Sequence, residues 1–298
     1  MALGRQKGSS CSEAGQILLI VILVIIVVST VGLSLASRSI TSLRTSTEEA
    51  ESQKALAAAE AGIERTIQSN NPTENASSKT PILDSEGKTN SYYQTKVTSV
   101  NGASFLIDGG NMIPKDEGVD VWFIGHSSVD SSLDYSNYSL TNPSSVNLYW
   151  GSSDQDCSSS NKPAAIEVII VTKSVSGTVI SYRYVYDSCS RGNGFASASN
   201  GSFPIVSNGV TYNFKYATPM NSLLAGIPSP KNVILMRVIP IYKDTTVGIS
   251  SDIALPTQGY TITSTGTSND ATHTLTVFKG YPQTYLPFIS YGLFVAAN

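Results

Sequence analysis

The residues of this 298-residue chain with chemical potential are two histidines, three cysteines and two short groups of carboxylates. Asp116-Glu117 with Asp120, and Asp154 with Asp156, are spaced as loop ligands for calcium, a hard cation that takes several carboxylate oxygens. Neither group has the central Gly and terminal Glu of an EF-hand loop, and solvated loop charges account for both. His126 and His273 lack the Cys/His/Asp spacing of a zinc site, and neither stands beside a nucleophile motif. No Gly-rich phosphate loop joins a strand to a helix. The expectation is a non-enzymatic protein with no catalytic residues, metal or cofactor.

The cysteines point to structure instead. Cys157 precedes, and Cys189 follows, a hairpin read as Ile166–Lys173, the turn Ser174-Val175-Ser176-Gly177, and Thr178–Tyr186. Both therefore lie near its open end, and a Cys157–Cys189 disulfide fits if residues 158–165 loop back; the alternative is two buried thiols. An oxidising compartment would preserve the bond. Cys11 is the odd cysteine. Around Tyr135, Tyr138, Tyr149 and Trp150 the loops are aromatic with Ser and Asn, a composition that serves either adhesion to a surface ligand or simple core packing.

The element that must carry all of this is near the N-terminus. From Ile17 to Ala36 there is no charged residue, and Ile17 to Val28 is unbroken Ile, Leu and Val. At about 1.5 Å per residue this stretch covers the roughly 30 Å hydrocarbon core of a bilayer. A spanning segment must satisfy its backbone internally, so it is helical. Ile17, Ile20, Val24, Val28 and Leu33 are the residues expected to meet membrane lipid and helical neighbours.

Past Ala36 the helix pattern continues in a polar, Ala-rich register up to Gln68, where Ser69-Asn70-Asn71-Pro72 stops it. Arg44/Glu48 and Glu51/Lys54 support it at helical spacing. Leu56, Ala59, Ile63 and Ile67 fall on one face, and Leu56, Ile63 and Ile67 are expected to pack on the domain that follows. A continuous helix over residues 16–69 would be roughly 80 Å long.

Residues 70–91 read as a linker of turn chemistry. After it come short β-branched and aromatic segments separated by Gly, Ser, Asn and Pro, among them Tyr92–Val100, Ala103–Asp108, Val119–Ile124, Val146–Trp150, Val210–Tyr216, Val233–Tyr242, Thr245–Ile249, Tyr260–Ser264 and His273–Lys279. The fold class is α+β: one long N-terminal helix, then an antiparallel β-rich domain over residues 92–298, with a sub-boundary at Pro228 and Pro230 if it divides in two. Charged residues make up only 14%, which suits an extracytoplasmic domain. A formal charge of −3 gives no electrostatic footprint for nucleic acid.

Gly15-Gln16-Ile17-Leu18-Leu19-Ile20 after a short leader with Arg5 and Lys7, the aliphatic run, and then Ala58-Ala59-Glu60-Ala61-Gly62-Ile63-Glu64 together resemble the N-terminus of PilX-type type IV pilus assembly proteins. The same stretch is similar to GspK-type pseudopilins of type II secretion. The hairpin-like Ile262–Gly266 and Thr272–Val277 also look like the terminal hairpin of pilin-like proteins. The resemblance implies a leader over residues 1–15, cut by a prepilin peptidase after Gly15 to leave Gln16 at the mature N-terminus. It further implies partnership with other pilin-like subunits.

Most type IV pilins carry glutamate at the fifth mature position, where this chain has Ile20. In such subunits that carboxylate is thought to neutralise a neighbour's terminal amine inside lipid. Its loss, shared by the two resembled groups, implies a minor or tip subunit in place of a major one. The localisation implied is a single pass of the cytoplasmic membrane with the C-terminal domain outside, then the cell surface or pilus. Two processing rivals stand beside it: signal-peptidase cleavage after Ser34-Leu35-Ala36, releasing a secreted β-sandwich, and an uncleaved plain anchor. Gly8-Ser9-Ser10-Cys11 precedes the apolar run, the wrong order for a lipoprotein cysteine.

Overall fold

The computed structural model describes residues 13–69, 78–127, 132–137, 143–158, 160–207, 209–219 and 223–283. Most of the expected leader, residues 70–77 of the expected linker, and Tyr138 lie outside the described residues. The first element, α1 (Glu13–Gln68), is a single α-helix of 56 residues. The sequence contains no helix breaker over that range except glycines at 15, 32 and 62, and the chain leaves the helix at Ser69, immediately before the Asn-Pro stop.

Among the described residues fourteen strands follow: β1 (Thr80–Leu83), β2 (Thr89–Leu106), β3 (Val119–Trp122), β4 (Gly125–His126), β5 (Leu133–Asp134), β6 (Val146–Trp150), β7 (Ala165–Lys173), β8 (Val179–Asp187), β9 (Ala196–Ser197), β10 (Ser199–Ser207), β11 (Val210–Ala217), β12 (Val233–Ile241), β13 (Val247–Ser268) and β14 (Ala271–Gly280). The α+β class is therefore as expected, and the pairings among these described strands are antiparallel except the short β8–β9 contact. A seven-stranded sheet runs β1-β2-β13-β6-β11-β10, with β14 also on β13; a five-stranded sheet runs β3-β12-β7-β8-β9.

The two sheets share one core. Phe105, Leu148, Trp150, Tyr216 and Ile249 from the larger sheet meet Val121, Ile166, Val168, Ile170, Met236 and Val238 from the smaller. β7 is buried along nearly its whole length because its alternate residues Ile169 and Val171 enter a second cluster on the sheet's other side, with Trp122, Ile124, Ile234 and Leu235. That is why its sequence is continuously apolar instead of alternating. A buried, bidentate ion pair, Arg237 to Asp120 at 2.7 and 2.8 Å, links β12 to β3.

Two expectations are corrected here. The linker read over residues 70–91 contains β1 and the start of β2, which pair as a hairpin from Thr80 opposite Tyr93 to Leu83 opposite Thr89. Pro228 and Pro230 do not separate two subdomains: β12, just after them, sits between β3 and β7, both of which precede them. Backbone pairing across that point overrides the local turn chemistry.

β2 and β13 are long enough to belong to two places at once. Their inner ends, Phe105 opposite Ile249, enter the sandwich core, while the outer ends, Val97 opposite Ile262, turn toward the helix. An irregular stretch between Ser250 and Gly259 marks the change, containing Pro256 and a glycine at φ 153°. Beyond it β13 closes on β14 through a two-residue turn, Asn269-Asp270, with Asn269 left-handed at φ 47°. Such a turn fits the twist of an antiparallel pair.

Candidate functional site

The described structure divides α1 by what surrounds it. Ile17, Ile20, Val24, Val28 and Leu33 are all more than half exposed, with Leu33 at 72%. None of the most apolar window of this helix, with a mean hydropathy of 3.1, is buried in the protein. By length and composition this single helix is sufficient to cross a membrane. A core helix of a water-soluble domain would bury such a surface; this one leaves the domain before its apolar half begins. Gly15 and Gln16 lie in the same helix, just before the apolar run.

The other half is seated on the outer ends of β2, β13 and β14. Three cross-strand rungs face it: Tyr93–Gly266–His273, Thr95–Ser264–Leu275 and Val97–Ile262–Val277. Against them the helix turns Ala55, Ala58, Ala59, Gly62 and Ile63, all buried. Ile63 packs with Val97 and Ile262, and Tyr260 and Leu275 close the cluster.

The expected packing face was only partly right. Ile63 is buried at 7% exposure, whereas Leu56 at 36% and Ile67 at 37% sit at the margin of the contact. The contact face is rotated toward Ala55 and Gly62 because small residues let the helix backbone approach the sheet. A Cβ added to Gly266 would lie 2.0 Å from the Ala55 carbonyl oxygen and 2.4 Å from the Ala59 nitrogen. One added to Gly62 would meet the Ser264 hydroxyl at 2.3 Å. Bulky side chains on that line would hold the two elements apart.

Polar contacts fix the register of the seam. Ser52 Oγ and His273 Nε2 are 2.8 Å apart, Arg65 donates to the Tyr93 hydroxyl at 3.1 Å, and the Lys279 ammonium donates to the Ile67 carbonyl at 2.5 Å. The Ser268 hydroxyl donates to Glu51, which also takes Lys54 at 2.9 Å. The Ser268 hydroxyl first, and Lys54 after it, lower the Glu51 pKa from its ordinary value. His273 thus has a partner on the helix, the Ser52 hydroxyl, and ties β14 to the stalk.

His126, on β4, is likewise structural in its setting. It stacks on Tyr281 with ring centroids 3.7 Å apart and meets the edge relation with Trp122 at 4.6 Å. Burial lowers its pKa from 6.5 to about 4.

Neither carboxylate group forms a cation cage. Asp120 is committed to Arg237, Asp154 accepts from Ser152 and from Asn161 at 2.9 Å, and Asp156 faces Lys215 at 3.5 Å. Among the described residues no three His, Cys, Asp or Glu side chains come together as a metal site. Cys157 and Cys189 do form a disulfide, with Cα atoms 5.3 Å apart, tying the loop after β6 to the end of β8. Trp150 is fully buried beside this region, donating to the Ala164 carbonyl at 3.0 Å, and Tyr149 is half-buried with its hydroxyl 2.8 Å from Ser250 Oγ. Those two aromatics serve packing. Sequence reasoning missed two exposed ones, Tyr212 and Tyr242, which line one open groove.

No family model matches the chain, and no curated protein matches it. Among solved structures, it is similar to the family 11 carbohydrate-binding module of the cellulosomal cellulase Lic26A-Cel5E of Clostridium thermocellum. That match has 12% identity and covers 61% of this chain and 96% of that one. Its TM-score is 0.20, and nothing below rests on it.

Proposed function

We propose that this chain is a non-enzymatic, membrane-anchored minor or tip subunit of a type IV pilus or related pseudopilus. The observation that carries the reading is the division of one unbroken helix into a wholly exposed apolar half and a half seated against a sheet. Before assembly, membrane lipid covers Ile17–Ala36; afterwards the same surface packs with neighbouring stalks. Both environments are apolar, so transfer from one to the other need not expose the helix to water. The seam at Ala55–Ile63 makes stalk and domain move together, and the disulfide suits the oxidising side of the membrane. Ile20 removes the carboxylate expected of a repeating subunit, in keeping with a position at an end of the fibre.

The test is a sheared filament preparation from the cells that express the protein, probed for this chain and quantified against the most abundant subunit. A small, constant ratio is expected. Complete retention in the membrane fraction, with none in filaments, would instead favour an anchored β-sandwich that acts alone, a reading supported by the domain's own continuous core.

A further inference from the structure

A groove of about 620 Å³ opens on the sandwich domain, away from the stalk residues that face β14. Its walls come from four separate places: the segment between β2 and β3, the loop after β6, the start of β11, and the turn after β12. The volume lies within the range of small-molecule sites, roughly 300–1,000 Å³.

The lining combines two chemistries. Tyr212 and Tyr242 are 38% and 48% exposed and line the same groove, whereas the comparably exposed Tyr92 and Tyr135 lie elsewhere. Tyr242 also holds a left-handed backbone, φ 74°, that is costly for a bulky side chain. Its ring is held in place by the Arg191 guanidinium, 4.7 Å from the centroid, and by Asn193, which donates to its hydroxyl at 3.3 Å. A strained, braced and still exposed ring is a platform, since core packing does not explain it.

The second chemistry is a fixed row of polar groups. Asp154 accepts from Ser152 and Asn161, Asn161 accepts from the Lys243 ammonium, and Asp244 accepts from the Lys115 backbone at 2.8 Å. These contacts orient the side chains before any ligand arrives, which lowers the ordering cost of binding. Two carboxylates and two ammonium groups line the same groove, so it favours neither anions nor cations. Aromatic surface beside oriented donors and acceptors of balanced charge complements a ligand that has an apolar C–H face and a ring of hydroxyls.

We propose that this groove binds an uncharged hexose unit of a glycan, with Tyr212 and Tyr242 supplying stacking surface and the Asp154–Asn161–Lys243 row bonding to hydroxyls. The site is independent of filament assembly and stands or falls separately from it.

The experiment uses the full chain in a sugar-free zwitterionic detergent. Neutral hexasaccharides of glucose, mannose and N-acetylglucosamine are titrated by calorimetry and by saturation-transfer NMR, alongside an acidic hexuronate. At least one neutral hexasaccharide is expected to bind with Kd of about 1 mM or tighter. Tyr212→Ala and Tyr242→Ala should each weaken it about tenfold, equivalent to about 1.4 kcal/mol. Far-UV circular dichroism reports whether each variant folds, and because Tyr212 is exposed, its variant remains informative if Tyr242→Ala does not fold. Absence of neutral binding up to about 10 mM, binding indifferent to a folded Tyr212→Ala variant, or tighter binding of the hexuronate would each overturn the proposal.

Discussion

Gly266 of β13 lies against Ala55 of the stalk so closely that a side chain at 266 would fall 2.0 Å from the Ala55 carbonyl oxygen. The obstacle is helix backbone, which has no rotamer to give. Gly266→Ala should therefore destabilise the docked stalk by about 2–3 kcal/mol, at the upper end of overpacking costs. Gly62→Ala should cost less, because its nearest obstacle is the rotatable Ser264 hydroxyl. Urea unfolding of both variants in detergent checks the order; equal costs would mean the helix can slide on the sheet.

Ile63 separates the two packing faces proposed for the stalk. It is buried with Val97 and Ile262, so Ile63→Ala should cost about 2–4 kcal/mol. Leu56→Ala and Ile67→Ala, at positions more than a third exposed, should each cost about 1 kcal/mol or less. Protease sensitivity around residues 70–78 offers an independent readout, since undocking frees the helix end. Comparable losses at all three positions would restore the original stripe.

The stalk was legible because apolar length, absence of charge and the Asn-Pro stop act locally, and β6 was read to the residue for the same reason. Other features were hidden by non-local effects. β10 contains Asn200, Gly201 and Pro204, which argue against a strand, yet it forms the sheet edge where a proline is tolerated. β13 read as two strands because Pro256 and Gly259 interrupt its pattern, while pairing with β2 carries it through. The seam was read only in part, at Ala59 and Ile63, because Leu and Ile are the usual packing signal, whereas here the close approach is made by Ala and Gly. The groove had no sequence signal, since Asp154, Tyr212 and Tyr242 meet only after the sheets form.

His126 should make the domain sensitive to acid. Its ring is desolvated, with Nδ1 buried and without a hydrogen-bond partner, and its pKa falls from 6.5 to about 4. A folded pKa below the unfolded one favours the neutral ring in the native state. The contribution is thus complete above about pH 6.5 and is lost as pH falls toward 4. The full shift corresponds to about 3 kcal/mol, which partial solvent access to the half-buried ring reduces to about 1–2. Because carboxylates also titrate there, the measurement is a comparison. Between pH 7 and 4.5, His126→Phe, which preserves a flat ring on Tyr281, should lose about 1–2 kcal/mol less stability than the parent chain.

The Cys157–Cys189 bond closes a loop of 32 residues. Constraining such a loop in the unfolded chain contributes about 3–4 kcal/mol on the chain-entropy account. Asp187, two residues before Cys189, is buried with Arg191 and Asn193 and accepts from the Cys189 backbone at 2.9 Å, so the bridge also anchors a polar cluster. Reduction with dithiothreitol, or Cys157→Ser with Cys189→Ser, should lower the unfolding free energy obtained from urea titration by that amount. The stalk seam lies on other strands, so cross-linking of Ala55 to position 266 through introduced cysteines should persist in the Ser variant.

The identity of the mature N-terminus discriminates among the fates of the stalk. Gly15 lies in α1 immediately before the apolar run. Cleavage there leaves the apolar run intact and starts it at Gln16, as lateral packing in a fibre requires. Cleavage after Ala36 would remove the whole exposed apolar window while sparing Ala55–Ile63, and would release a domain that still carries its docked helix end. Mass spectrometry of the protein from its native host is expected to show Gln16 first, with the chain in the membrane and filament fractions. A start at Ser37 would make it a secreted domain, and a start at Met1 a plain anchor, either of which removes the basis for the pilin-like reading.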